Sequence, residues 1–572
     1  MRALVLILVM VTGGAAWAQQ AADTVAPEGA GAGVLQVPLP LAAAQAAKDA
    51  GQPVESQAWM IAAAHPLAVE AGARVLREGG TAADAMIATQ LVLGLVEPQS
   101  SGLGGGAFLV WHDGASGKIT TLDGRETAPL AATPTLFQDA NGQPLAFFDA
   151  VVGGRSVGTP GTPALLAEAH ARWGRADWAG LFSEAIALAE GGFPVSPRLA
   201  GLIAEDAERL KLFRDTRDYF LPGGTPLAAG QTLRNPDYAD TLRRLADEGV
   251  SVFYSGVLSP LDLAIYRVKE RPALCTPYRA YEVCGMGPPS SGASTVGQIL
   301  GLLEPFDLTD LGPQSPEAWR LIGDASRLAF ADRGRYLADS DFIPVPLKGL
   351  LDPDYLKGRS ELLRGDDALP EVTPGQPDFD HASLWADDQS LELPSTSHIS
   401  IVDSYGNALS MTTTIENGFG SRLMVRGFLL NNELTDFSFA THENGRPIAN
   451  ALAPGKRPRS SMAPTILRRG GTPVLVLGSP GGSSIIGYVA KTIIARVDWG
   501  LDVQKAVSLP HLVNRFGLYD IEPAAAALVG PLSDMGFETR ETALTSGLHV
   551  IAIGAELSGG ADPRREGLAY GE

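Results

Sequence analysis

Cysteine is nearly missing, with two residues in a chain of 572, so a disulfide framework cannot be the main support of the fold. Cys275 and Cys284 lie nine positions apart. They either close one bond across a hairpin or stay as reduced, buried thiols, and in neither state do they make a good nucleophile. Histidine is scarce too, at eight residues without an HExxH pair, which removes the usual zinc-hydrolase arrangement. There is no G-x-S-x-G elbow. Basic clusters interleaved with aromatics are missing, and 44 Lys+Arg against 64 Asp+Glu leave a formal charge of -20, so nucleic acid is not the expected partner. Past the opening segment no apolar run approaches the ~20 residues that span a bilayer.

What is present suits a compact globular protein, with 45% hydrophobic and 19% charged residues. Arg2, the apolar run from Ala3 to Val11 and the small-residue site Ala16-Trp17-Ala18 have the three parts of an export signal. Residues 1–18 are therefore expected to be a signal peptide and the protein periplasmic or secreted. From Gln19 to Gln57 the chain is rich in Ala, Gly, Pro and Gln with little periodicity, and reads as a flexible leader. A helical pair follows. Pro66 to Glu78 ends at Gly79-Gly80, and Thr81 to Asp84 supplies a capping-box start for a helix running to Val96. Ala/Leu-rich helical segments alternate with Gly/Pro punctuation from about Gly161 to Lys357. Between Asp366 and Pro394 the chain turns acidic and proline-rich, as an exposed connection does. Past it, His398 to Val402 and Ala408 to Thr414 read as a hairpin around Asp403-Ser-Tyr-Gly-Asn407. Strands and helices mix throughout.

Two glycine-rich loops bear on chemistry. Gly102-Leu-Gly-Gly-Gly106 follows a helix and lacks the Gly-Lys-Ser/Thr ending of a phosphate loop, so it reads as a site of tight packing. Gly478-Ser-Pro-Gly-Gly482 sits between a strand, Pro473 to Leu477, and a helix, Ser483 to Trp499. Backbone N–H groups in such a turn can face a developing negative charge. The segment Pro394-Ser395-Thr396-Ser397-His398 puts a threonine between a flexible connection and a strand. A new N-terminus there would carry an α-amine of pKa ~7.7 to 8, able to act as base for its own hydroxyl without a histidine.

Together these segments resemble the γ-glutamyltranspeptidase family from about Ala62 to the end. The similarity is carried by Val96-Glu-Pro-Gln-Ser-Ser-Gly-Leu-Gly-Gly-Gly106, Asp123-Gly-Arg-Glu-Thr-Ala-Pro129, Pro288-Pro-Ser-Ser-Gly292, Thr396-Ser-His-Ile-Ser-Ile-Val-Asp403, Leu430-Asn-Asn-Glu433, Asp436-Phe-Ser438, Lys456-Arg-Pro-Arg-Ser-Ser461 and Gly478-Ser-Pro-Gly-Gly482. The resemblance implies an α+β fold of four αββα layers, the N-terminal nucleophile hydrolase arrangement. It implies one precursor that cuts itself between Ser395 and Thr396, leaving a large subunit, 58–395, and a small catalytic subunit, 396–572, associated as a heterodimer.

By position in the motifs, Thr396 is the implied nucleophile, Thr414 its hydrogen-bond partner, and Gly481 and Gly482 the backbone donors to the oxyanion. Arg125 with Ser460 and Ser461 would hold the donor's α-carboxylate. Glu433 and Asp436, with Glu416 nearby, would hold its α-ammonium. The implied activity is cleavage of γ-glutamyl amides such as glutathione through a γ-glutamyl-threonine ester, with transfer to water or to an amino acid or peptide. No metal and no organic cofactor is implied. Two other readings use the same pocket: a glutaryl or cephalosporin-type acylase, which would not need ammonium ligands, and an inactive periplasmic binding protein, which would stay uncut. Two departures stand out. Glu416 occupies a position where some relatives carry Asn, and Phe439 to Pro454 is shorter than the longest lids of the family and lacks their Tyr.

Overall fold

Strands whose side chains point alternately to two faces build two seven-stranded antiparallel sheets in the computed structural model, which describes residues 33–255, 260–379, 385–388, 390 and 395–572. In spatial order the first sheet holds Leu568–Gly571, Met60–Ala63, Ser397–Val402, Ala408–Thr414, Gly106–His112, Ile119–Gly124 and Lys269–Arg271. The second holds Val54–Ser56, Leu557–Ala561, His549–Ile553, Thr472–Gly478, Thr465–Arg469, Tyr281–Gly285 and Leu274–Tyr278.

Period-two burial assigns each face a job. Ile61, Leu109, Ile399, Ile401, Leu409 and Met411 of the first sheet pack under the helices Pro66–Arg77 and Ala82–Val96. Their neighbours Met60, Ala62, Val110, Val402 and Ala408 point the other way, into Ile466, Val476, Ile551 and Leu557 of the second sheet. The far face of that sheet, with Val283, Leu467, Leu475, Leu477 and Val550, is covered by Gly292–Leu303, Pro316–Tyr336 and Ile485–Val497. The expected four layers are therefore present. The capping box is formed as well, Thr81 accepting from the Asp84 amide while the Asp84 carboxylate accepts from that of Thr81.

One expectation needs correcting. The leader, 19–57, was expected to stay outside the fold, yet Ala42–Asp49 is a helix and Val54–Ser56 an edge strand paired with Leu557–Ala561. The alanine-rich composition that reads as low complexity is also strongly helix-forming. Leu41 enters the core, and the Lys48 ammonium donates to the carbonyls of Arg565 and Gly567 at 2.6 Å each. The export signal, 1–18, lies outside the described residues. Cys275 and Cys284 face each other across the hairpin and are bonded.

Candidate active site

Strand register brings Thr396 to Thr414. Ser397 pairs with Thr413, so the residue just before the first strand lies opposite the last residue of the second. The Thr396 hydroxyl lies 3.4 Å from Thr414 Oγ1 as donor, and Thr414 in turn donates to the carbonyl of Ser395 at 2.8 Å. The amide of Glu416 donates to the same Thr414 oxygen at 2.8 Å. One hydroxyl thus touches both the Thr396 hydroxyl and the carbonyl of the residue before it.

The groups around this bond are held from behind. Ser395 Oγ donates to the Gln99 carbonyl at 2.8 Å, and Arg565 donates to the Thr396 carbonyl at 3.1 Å. Ser397 Oγ donates at 3.0 Å to Glu97, whose other oxygen accepts from Arg198 at 2.6 Å. Burial lifts the Glu97 carboxyl above its ordinary range, while Arg198 and Arg565 pull it back. Glu416 has φ of 74°, a left-handed conformation that costs of order 1–3 kcal/mol outside glycine and tends to occur at functional sites.

Two glycine clusters shape the site. A Cβ on Gly105 would lie 2.0 Å from the Thr414 carbonyl, and one on Gly106 would lie 2.3 Å from Glu126, so the run 102–106 serves close packing, as expected. Gly481 and Gly482 have φ of 135° and 56°, values that favour glycine. The turn holding them follows Gly478, which packs on the ring of His398. Burial drives the His398 pKa well below its ordinary value, with a smaller push from His549. Both ring nitrogens are engaged, with Thr412 Oγ1 at 2.9 Å and Ser400 Oγ at 3.0 Å, which fixes the ring beneath the turn.

Arg125, Thr396, Thr414, Glu416, Glu433, Asp436, Ser460, Ser461 and Gly482 line one cavity together with Met462 and Ile485. Gly481 is not among the lining residues and packs behind them on Tyr488. Arg125 leaves the end of Ile119–Gly124, and its guanidinium donates to the carbonyls of Pro458 and Arg459 at 3.2 and 3.0 Å, which ties it to the segment bearing Ser460 and Ser461.

The motif roles gave Arg125 to the donor's carboxylate and the two acids to its ammonium. Here the guanidinium pairs directly with Glu433 and with Asp436. Opposite charges buried in one pocket satisfy one another, because an unpaired charge there would be costly. Burial works against the Arg125 charge, but Glu433, Asp436 and Glu126 outweigh it and hold the guanidinium above the ordinary arginine range. Burial in turn raises the Glu433 carboxyl, with Arg125 opposing.

Several participants escape a motif reading. Arg333, on the long helix Pro316–Tyr336, donates to Ser461 Oγ at 2.7 Å and to Ser291 Oγ at 2.8 Å. Glu126, fully buried beside Arg125, belongs to the quoted Asp123–Pro129 motif, but nothing in the local sequence shows that its carboxyl turns inward. Phe439 to Pro454 is held down rather than loose: Phe439 stacks on Phe137 at 4.8 Å, and Asn450 donates to Asp388 at 3.0 Å and to the Asp436 carbonyl at 2.7 Å. Among the described residues no cluster of His, Cys, Asp and Glu is placed to hold a metal, and no helix is long and apolar enough to cross a membrane.

Comparison with known proteins bears on this geometry. The sequence pattern of the family described as Gamma-glutamyltranspeptidase matches residues 68–572. The glutathione hydrolase proenzyme of Bacillus subtilis (strain 168) is 37% identical over 541 residues, 90% of this chain and 91% of the relative. A solved structure of cephalosporin acylase from Bacillus halodurans superimposes with a TM-score of 0.80 at 26% identity, covering 91% of this chain and 97% of that one. The γ-glutamyltranspeptidase of Helicobacter pylori gives a TM-score of 0.54 at 34% identity over 56% of this chain and 96% of its own.

Proposed function

Because the chain belongs to the γ-glutamyltranspeptidase family, we propose that Thr396 becomes its nucleophile when the Ser395–Thr396 bond is cut from within. The chain is a self-processing enzyme that hydrolyses γ-glutamyl amides and transfers their acyl group. The observation that carries the residue assignment is the Thr414 hydroxyl, 2.8 Å from the Ser395 carbonyl and within reach of Thr396 Oγ1.

In the processing step Thr396 Oγ1 attacks the Ser395 carbonyl carbon, and Thr414 stabilises the oxygen as it becomes negative. The C–N bond breaks as the departing nitrogen takes up a proton, leaving an ester. Water then cleaves the ester to a Ser395 carboxylate and a free Thr396 with its α-amine. In turnover that amine serves as the base. Thr396 Oγ1 attacks the donor's γ-carbonyl, the turn presents Gly482 toward the oxyanion, and the departing amine leaves protonated. Water or an amino-acid amine then takes the γ-glutamyl group from the ester and regenerates the hydroxyl.

The donor's carboxylate would displace the acids from Arg125 and be bound bidentately, with Ser460 and Ser461 beside it. Its ammonium would take Glu433 and Asp436 in exchange, so every buried charge keeps a partner. Subunits 58–395 and 396–572 would remain associated, because their strands share both sheets. The motif at residues 1–18 supports export to the periplasm or beyond.

An acylase reading shares the nucleophile but leaves Glu433 and Asp436 without work. Turnover of a γ-glutamyl anilide against the matching glutaryl anilide, which lacks the ammonium, separates the two. Preference for the γ-glutamyl compound, lost in Glu433→Ala, is expected. Equal turnover of both compounds, unchanged by that substitution, would favour the acylase.

A further inference from the structure

Glu126 is a fully buried carboxyl to which the proposed chemistry gives no task. It lies against Gly106 and Gly158, and its nearest cation, Arg125 Nη1, is 3.9 Å away, too far for a hydrogen bond and already committed to Glu433. Neither oxygen of its carboxyl, nor Oε2 of Glu433, has a hydrogen-bond partner among the described residues. The two carboxyl groups converge on one atom, Arg125 Nη1, which Glu433 Oε1 contacts directly and Glu126 Oε2 approaches to 3.9 Å. Three buried acceptor atoms with no donor between them form an arrangement that ionised carboxylates would not sustain, since each bare charge carries a desolvation cost of several kcal/mol. A single proton removes the difficulty, turning one acid into a donor to the other.

We propose that Glu126 and Glu433 form a carboxyl–carboxylate pair sharing one proton, and that Glu126 is a positioning residue setting the charge of the donor pocket. Arg125 contributes one positive charge, and Glu126, Glu433 and Asp436 would contribute three negative ones. The shared proton brings the quartet from two net negative charges to one. Glu126 then makes no claim on the guanidinium, which stays available to the donor's carboxylate, and Glu433 keeps the charge that its ammonium requires.

The surroundings agree. Besides Arg125, Glu433 and Asp436, the ionisable groups facing Glu126 are the buried phenols Tyr254 and Tyr266, the latter in contact with Arg457. Burial foremost, then the charge of Glu433, pushes the Glu126 carboxyl well above its ordinary range. The pair holds its proton below that raised range and loses it as pH rises through it. An ionised Glu126 would then compete for Arg125. The resulting effect on donor binding rests on the γ-glutamyl reading above; the protonation itself does not.

Infrared difference spectroscopy of the processed enzyme at neutral pH tests the protonation directly. The wild-type minus Glu126→Gln spectrum is expected to show the C=O stretch of a protonated carboxylic acid. Wild type minus Glu433→Gln provides a second reading should the first variant misfold, with that band shifted because its carboxylate acceptor has become an amide. Absence of a protonated-acid band from both differences would overturn the proposal, whatever the substrate proves to be. In kinetics with a γ-glutamyl anilide, the wild-type KM is expected to rise more steeply toward alkaline pH than that of Glu126→Gln, with kcat profiles parallel. The donor's own ammonium and the Thr396 amine titrate in both proteins, so only this difference reports the pair. Identical KM profiles would overturn the role given to Glu126, while a wild type inert toward the anilide would instead count against the γ-glutamyl reading.

Discussion

At the scale of single residues, the site depends on a hydroxyl and a guanidinium that each serve several partners at once. Removing the hydroxyl in Thr414→Ala leaves the Ser395 carbonyl without its donor, and loss of one oxyanion donor typically costs roughly 10²- to 10³-fold in rate. Self-cleavage of purified precursor, followed by denaturing electrophoresis, is expected to slow by that order, and Thr414→Ser to restore most of it. Unchanged cleavage in Thr414→Ala would remove Thr414 from the mechanism. Arg125→Ala strands two buried acids, and breaking a buried pair by removing one partner costs about 3–5 kcal/mol. A urea-unfolding midpoint matching the wild type would contradict the pairing seen here. That Thr396, Thr414, Arg125, Glu433, Asp436, Ser460 and Ser461 share one cavity was legible in the sequence, because short motifs carry them. Glu126, Arg333 and Arg565 were not, since their partners lie on segments far away in the chain and only folding joins them.

Among elements, the glycine run and the edge hairpin make separable claims. A methyl group on Gly105 meets the Thr414 carbonyl at 2.0 Å, a contact that only backbone movement can relieve. Gly105→Ala is therefore expected to shift the end of Ala408–Thr414 and block self-cleavage even where the chain still folds, which the same electrophoresis would reveal. Normal processing would show that the strand end tolerates displacement. The Cys275–Cys284 bond closes a short loop on an edge strand, and chain-entropy reasoning gives it about 2–3 kcal/mol. Chemical unfolding with and without reductant should differ by that amount, and coincident curves would show that the hairpin holds itself. The hairpin at Thr396, the capping box and the helix after Gly482 were readable from periodicity and turn residues. The helix at Ala42–Asp49 was not, because its docking depends on Lys48 reaching carbonyls near the other end of the chain.

Over the whole molecule, neutral buried histidines make stability depend on pH. Burial foremost lowers His65 to about 4 and His549 to about 3, against ~6.5 in an unfolded chain. Between those values and 6.5 the unfolded state binds more protons, so each site loses stability as pH falls. His65→Asn keeps an acceptor for the Leu67 amide that His65 caps. The drop in urea midpoint from pH 7 to pH 5 is expected to be smaller in that variant than in wild type, and equal drops would contradict the neutral assignment.

The central claim is that one internal cut turns Thr396 from a chain residue into a catalyst. The intact mass of purified protein under denaturing conditions, wild type beside Thr396→Ala, tests it most directly. Two wild-type fragments, the smaller beginning at Thr396, with a single uncut chain for the variant, is the predicted result. A wild-type chain that stays whole, or a variant that is still cut at this bond, would contradict it.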